Sequence, residues 1–241
     1  MPDEKVQFQF LVMKCEETPM LPLPLSHILS PSLTAIGRLP ARATLMPYSD
    51  EDALKAGNSQ WCQSLDGDWR FQLVGRPGHA EKDWTTQDTE VEPWRDIKVP
   101  GVWTMQDTGD LPHYANWQMP FACPKPPDIP ADNPTGLYRK VFQLTELELS
   151  RNTVLHIGGF ESLALVWCNG VFAGMAKDSR LPSEFDLSDF VQMGQNQLAI
   201  MVLRWCDATC LTASSTVPAS GPCQTLPARR LRGSATTRTR C

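Results

Sequence analysis

Several absences narrow this 241-residue chain before anything in it is interpreted. No stretch approaches the roughly 18 apolar residues of a membrane span. The apolar segment from Val6 to Met13 is short and broken by Gln7 and Gln9, which excludes a convincing export signal. None of the eight cysteines forms a Cys-x-x-Cys pair, so the usual zinc and redox spacings are missing. Cys206 and Cys210, four apart, are a weak metal signal. Scattered reduced thiols are the preferred reading, because a chain this long builds a core without disulfides. His27, His79, His113 and His156 are too dispersed for a metal cluster. Gly-x-x-x-x-Gly-Lys, Gly-x-Gly-x-x-Gly, His-Glu-x-x-His and Gly-x-Ser-x-Gly are all absent, which removes the commonest nucleotide, zinc-protease and hydrolase signatures. Asn133-Pro134-Thr135 is no glycosylation acceptor, since proline fills its middle position. The chain is also short of base: its net charge of −5 argues against a nucleic-acid partner.

The charge is unevenly spread. The tail from Ala208 holds Arg229, Arg230, Arg232, Arg238 and Arg240 with no acid or lysine, so residues 1–207 carry −10. That tail lacks Phe, Trp, Tyr, Ile and Met. It buries too little to offset its ordering entropy and is expected to be disordered. At the other end, Pro19, Pro22, Pro24 and Pro31 are expected to break any helix, leaving an irregular leader over residues 1–36. Ser49 to Leu54 predicts a short helix with Ser49 as its cap.

Between these ends the pattern is β. Leu65 to Leu73 alternates after a turn, and Ile97 to Pro100 is a brief strand. Residues 104–135 form a long proline-rich irregular segment, a length usually reserved for function. Tyr138 to Leu144 and, after a polar turn, Thr153 to Phe160 predict further strands. Asn169-Gly170 between two apolar runs predicts a type I′ hairpin. Glu184 to Leu187 is short. Gln197 to Trp205 is apolar enough to be central and covered on both faces. No helix-length amphipathic pattern separates these strands, which excludes βαβ units and favours an all-β sandwich.

The runs Asp132-Asn133-Pro134-Thr135-Gly136-Leu137-Tyr138 and Asp178-Ser179-Arg180-Leu181-Pro182-Ser183-Glu184-Phe185-Asp186-Leu187 resemble glycoside hydrolase family 2. More closely, they resemble the amino-terminal sugar-binding domain of bacterial-type β-galactosidases. Arg38 to Ala43, Leu65 to Phe71, Val99 to Met105, Tyr114-Ala115-Asn116, Trp167 to Gly170 and Leu203-Arg204-Trp205 carry the same resemblance in the same order. Glucuronidases and mannosidases share the sandwich, but the two longest motifs look most like the galactosidase branch.

The resemblance implies a jelly-roll β-sandwich, galactose-binding-domain-like, over residues 37–209. The flanks are an irregular leader over 1–36 and an off-family disordered tail over 210–241. Complete members are retaining glycosidases whose two glutamates lie on a downstream barrel and act by the two-carboxylate scheme. A barrel alone needs roughly 250 residues, so no catalytic residue is assigned here and the chain alone is expected to be inactive. Glu161 and Glu184 are read as surface or ion-paired carboxylates of the sandwich. Asn116 matches the position that contacts galactose, and its amide suits sugar hydroxyls; the alternative is an asparagine that stabilises a loop turn. Trp103 and Trp117 are read as packing in preference to sugar stacking, and Trp69, Trp167 and Trp205 as core.

The resemblance further implies magnesium and sodium for the complete enzyme, with none in this fragment and no metal site. After Thr209 the family continues into an acidic stretch carrying a sugar- and sodium-binding aspartate, and then a final strand; Cys210-Leu211-Thr212-Ala213-Ser214 departs from that pattern. An open sheet edge and marginal stability follow as expectations. The expected partners are a β-galactoside, a second copy of the chain or a complementing enzyme fragment, in the cytoplasm. A stand-alone carbohydrate-binding module is the competing function.

Overall fold

The computed structural model describes residues 21, 24–43, 45–57, 59–86, 94–112, 129–177 and 181–209. Among them are three short helices, α1 (Leu25–Ile28), α2 (Glu51–Ala56) and α3 (Glu146–Leu149). Nine strands accompany them: β1 (Ala35–Ile36), β2 (Gly67–Val74), β3 (Arg95–Val99), β4 (Thr135–Leu144), β5 (Val154–Ile157), β6 (Leu163–Cys168), β7 (Val171–Ala176), β8 (Ser183–Asp186) and β9 (Gly194–Leu203). Seven strands form one sheet in the order β1-β7-β6-β9-β4-β2-β3, and β5 pairs with β8 in a second. Every pairing is antiparallel. The all-β reading therefore holds.

The large sheet is buried on both faces. Leu198, Ile200 and Val202 of β9 join Trp69, Phe71, Phe142 and Val166 in a core closed by Leu155 and Phe185 of the small sheet. Ala199, Met201 and Leu203 face the other way, into a core with Ile28, Leu29, Trp84, Trp94, Leu165 and Trp167. A strand apolar on both faces reads as a continuous apolar run, as Gln197 to Trp205 did. It is the central strand, paired with β4 over ten positions and with β6 over six.

The β6–β7 hairpin turns at Asn169 and Gly170, with φ of 50° and 79°. These are the positive angles that an Asn-Gly type I′ turn requires. Asn169 is held further by its side chain, whose Nδ2 donates to Phe190 O at 2.9 Å and whose Oδ1 accepts from Gln197 N at 2.8 Å.

Three local expectations need correcting. A helix does begin in the proline-rich leader: Pro24 is the N-cap of α1. Proline breaks helix interiors but is tolerated where the N–H has no helical partner. Ile28 is fully buried, and β1 pairs with β7, so residues 24–36 are built onto the sheet. The cap of α2 is Asp50, one residue later than expected; its carboxylate accepts from Ala53 N at 2.8 Å, while Ser49 donates to that carboxylate. The polar stretch before β5, read as a turn, holds α3, opened by a Thr145–Glu148 capping box.

Candidate functional site

Asn116, Tyr114 and Trp117 lie outside the described residues. Three of the motifs that flank them converge where β9 ends. Asn133 is 1% exposed and lies against the backbone of Trp205. Its Nδ2 donates to Trp205 O, and its Oδ1 accepts from Trp205 N, both at 2.9 Å. Arg204 N donates to Pro134 O at 3.1 Å, and Thr135 Oγ1 to Asn133 O at 2.9 Å. An asparagine suits this place because one amide supplies both a donor and an acceptor. A Cβ added at Gly136 would lie 2.9–3.0 Å from ring atoms of Phe71, Tyr138 and Trp103, so glycine permits those rings to close over the backbone.

On the same side, the Arg204 guanidinium pairs with Asp110, both side chains 12% exposed. It also donates to Leu111 O at 3.3 Å and stacks 5.2 Å from the Trp205 ring. Asp110 accepts from Trp103 Nε1 at 2.7 Å. Trp103 is 7% exposed and packs 6.3 Å from Phe71, so it serves packing, as expected. Trp69 and Trp167 are core; Trp205 is only partly buried and lies just past the strand.

The Leu181 to Leu187 motif serves another junction. Glu184 is the acceptor of a two-point bond from Arg42, Nε at 2.8 Å and Nη2 at 3.0 Å, and His156 Nδ1 lies at 3.1 Å. Leu39 N donates to Glu184 O at 2.8 Å. Burial presses the carboxyl upward, but the bonds from His156 and Arg42 and their charge outweigh it, leaving Glu184 below the ordinary carboxylate range. A general acid needs the opposite shift. Glu184 is thus an ion-paired sandwich carboxylate, as expected, and Glu161 is exposed.

Other reactive groups are equally quiet. Burial raises the Cys168 thiol to about 11 and lifts the Tyr138 phenol well above its usual value, so neither ionises near neutrality. Among the described residues no three His, Cys, Asp or Glu side chains gather to hold a metal ion. They supply no such donor set for magnesium or sodium.

The family model for "Glycosyl hydrolases family 2, sugar binding domain" matches residues 62–224. The chain belongs to this family. Among curated relatives, the β-galactosidase of Photobacterium profundum is 40% identical over 182 residues, which are 76% of this chain and 18% of that protein. The β-galactosidase of Psychromonas ingrahamii is 43% identical over 164 residues, 68% of this chain and 16% of its own length. The chain thus spans less than a fifth of these relatives. Among solved structures, a β-glucuronidase from an uncultured Clostridium sp. aligns over 58% of this chain and 21% of its own, at 22% identity and a TM-score of 0.44.

Among the described residues of this family 2 domain, the motifs that carried the resemblance make contacts internal to the fold. Sequence reasoning named Asp132 to Gly136 without seeing that Asn133 grips Trp205, and named Arg38 to Ala43 without seeing that Arg42 meets Glu184. The buried pair of Lys177 and Asp207 also went unnoticed. The signal available for each was a polar residue beside apolar strands, which implies a partner without naming it.

Proposed function

We propose that this family 2 domain is the sugar-binding part of a β-galactosidase, contributing Asn116 to the galactose site, while the two carboxylates that break the glycosidic bond come from outside these 241 residues. Identity of 40% and 43% to two β-galactosidases over most of the chain carries this reading. The chemistry is consistent with it: Glu184 is pinned by Arg42 and His156 and held low in pKa, unsuited to donate a proton. Magnesium and sodium belong, on this reading, to the complete enzyme. The partners are a β-galactoside, held weakly or not at all by this chain alone, and a second copy or a complementing enzyme fragment. The compartment is the cytoplasm, consistent with free thiols at Cys62, Cys168 and Cys206. No helix among the described residues is long and apolar enough to cross a membrane.

Two measurements test this. The purified chain should not hydrolyse a chromogenic β-galactoside; turnover abolished by substituting one of its own carboxylates would overturn the reading. Mixed with an amino-terminally deleted β-galactosidase, it should restore hydrolysis, and Asn116→Ala should weaken the restored kcat/KM by about tenfold or more, the scale of one lost polar sugar contact. Equal restoration by both chains would remove Asn116 from the site.

A further inference from the structure

We propose that the turn from Trp103 to Asp107 is a strap over the outer edge of β3, latched by Gln106 and Arg95, and that it keeps this edge from pairing with a second copy of the chain. Among the described residues β3 is the last strand of the large sheet, with β2 on its inner side. On its outer side the Gln106 amide stands in for a neighbouring strand. Its Oε1 accepts from Lys98 N at 2.8 Å, and its Nε2 donates to Lys98 O at 3.0 Å. A paired antiparallel strand would meet the same residue with the same two bonds. Arg95, at the other end of β3, reaches the backbone of the turn and donates to Asp107 O at 2.6 Å and to Gln106 O at 3.3 Å.

The strap is fixed at its base. Gln106 N donates to Trp103 O at 3.1 Å, and Thr108 Oγ1 donates to the same carbonyl at 2.9 Å. Trp103 is itself buried and bonded through its indole N–H to Asp110. Gly101 lets the amide come close, since a Cβ there would lie 2.5 Å from Gln106 Nε2 and 2.6 Å from Lys98 O.

The edge beneath the strap suits a second copy of itself. The bonds to Gln106 show that the Lys98 backbone groups point outward, and the alternation of an antiparallel ladder turns those of Asp96 the same way. Ile97 lies in the core, so the side chains of Asp96 and Lys98 share the opposite, exposed face. Two β3 strands running antiparallel about Ile97 would set Asp96 of each copy against Lys98 of the other. Opposite charges would then face each other on both sides of a two-fold axis. Within the chain these side chains pair with Arg70 and Asp68 across β2, exposed pairs that hold them only weakly. A row of unpaired N–H and C=O groups is a template for such association, and covering it with a loop removes the template.

Sedimentation velocity of the full chain over a concentration series tests the strap, with circular dichroism reporting the fold of each variant. Gln106→Ala combined with Arg95→Ala removes both latches. It should lower the dissociation constant of self-association by about tenfold or more, the scale of one or two net hydrogen bonds. Gln106→Met combined with Arg95→Met serves where the alanine pair fails to fold, because it keeps the apolar stems and loses every latch bond. Adding Lys98→Asp to either pair sets acid against acid between the copies and should return association to that of the natural chain. Association through other surfaces is common to all these chains and leaves the differences intact. Unlatched chains that associate no more than the natural chain, or that associate equally with and without Lys98→Asp, would overturn the inference.

Discussion

Lys177 Nζ and Asp207 Oδ1 lie 2.9 Å apart with side chains only 6% and 5% exposed, an ion pair between the end of β7 and the segment after β9. Lys177 Nζ also donates to Ser30 O at 2.7 Å, and its backbone N–H to Thr34 O at 3.1 Å. The pair therefore ties residues 30–34 to the sheet. Removing one partner strands a buried charge. Lys177→Met should cost about 3–5 kcal/mol in urea unfolding, whereas Lys177→Met with Asp207→Leu should cost clearly less. A double variant as damaged as the single one would show that the charge is not the issue. The pair should also be nearly insensitive to salt, since buried charges are poorly screened.

Glu184 sets an acid limit on the junction of β8 with residues 38–42. Its folded pKa lies below its unfolded value, near 4.5. The stabilisation it gives is complete above that value and is lost as pH falls through the folded pKa. Glu184→Gln should cost about 1–3 kcal/mol at neutral pH, the worth of charged hydrogen bonds. The loss should shrink toward zero as the medium is acidified below about pH 4.5. Unfolding free energies measured from neutral pH down through the acid range check this, and a constant difference between the two chains would contradict it.

Gly136 has no room for a methyl group. Alanine there should force apart the rings of Phe71, Tyr138 and Trp103 and cost about 1–3 kcal/mol, the usual scale of overpacking. Near-ultraviolet circular dichroism should lose aromatic intensity along with the lowered melting temperature. An unchanged melt would mean that the rings move aside freely.

Asn133→Asp isolates one half of the amide grip. Aspartate still accepts from Trp205 N, but it can no longer donate to Trp205 O and sets a negative charge against that carbonyl. A loss of about 2–4 kcal/mol is expected, since an unsatisfied buried acceptor and a buried charge add. Chemical unfolding of the aspartate and alanine variants side by side gives the comparison. Aspartate as stable as asparagine would remove the donor half from the account.

Legibility in the sequence followed the range of the interaction. Asn169-Gly170 announced its hairpin because the turn is set by the φ preferences of two adjacent residues. The central strand was legible because six consecutive apolar positions, Leu198 to Leu203, must each face a core. Pro24 misled because a proline signals a break, and whether a helix starts beyond it depends on what Ile28 packs against. The residues from Pro24 to Ile36 were set apart for the same reason: β1 is two residues long and exists only because β7 offers an edge.

What the sequence settled by itself was the all-β class, the hairpin, the apolar centre strand and the family, all of which rest on local periodicity or on ordered motifs. The partners of the polar residues were decided only in three dimensions: Asn133 with Trp205, Arg204 with Asp110, Arg42 with Glu184, Lys177 with Asp207. A side chain's chemistry states that it needs a partner once buried. Which partner it takes is fixed by chain segments far away in sequence, brought together by the packing of the two cores.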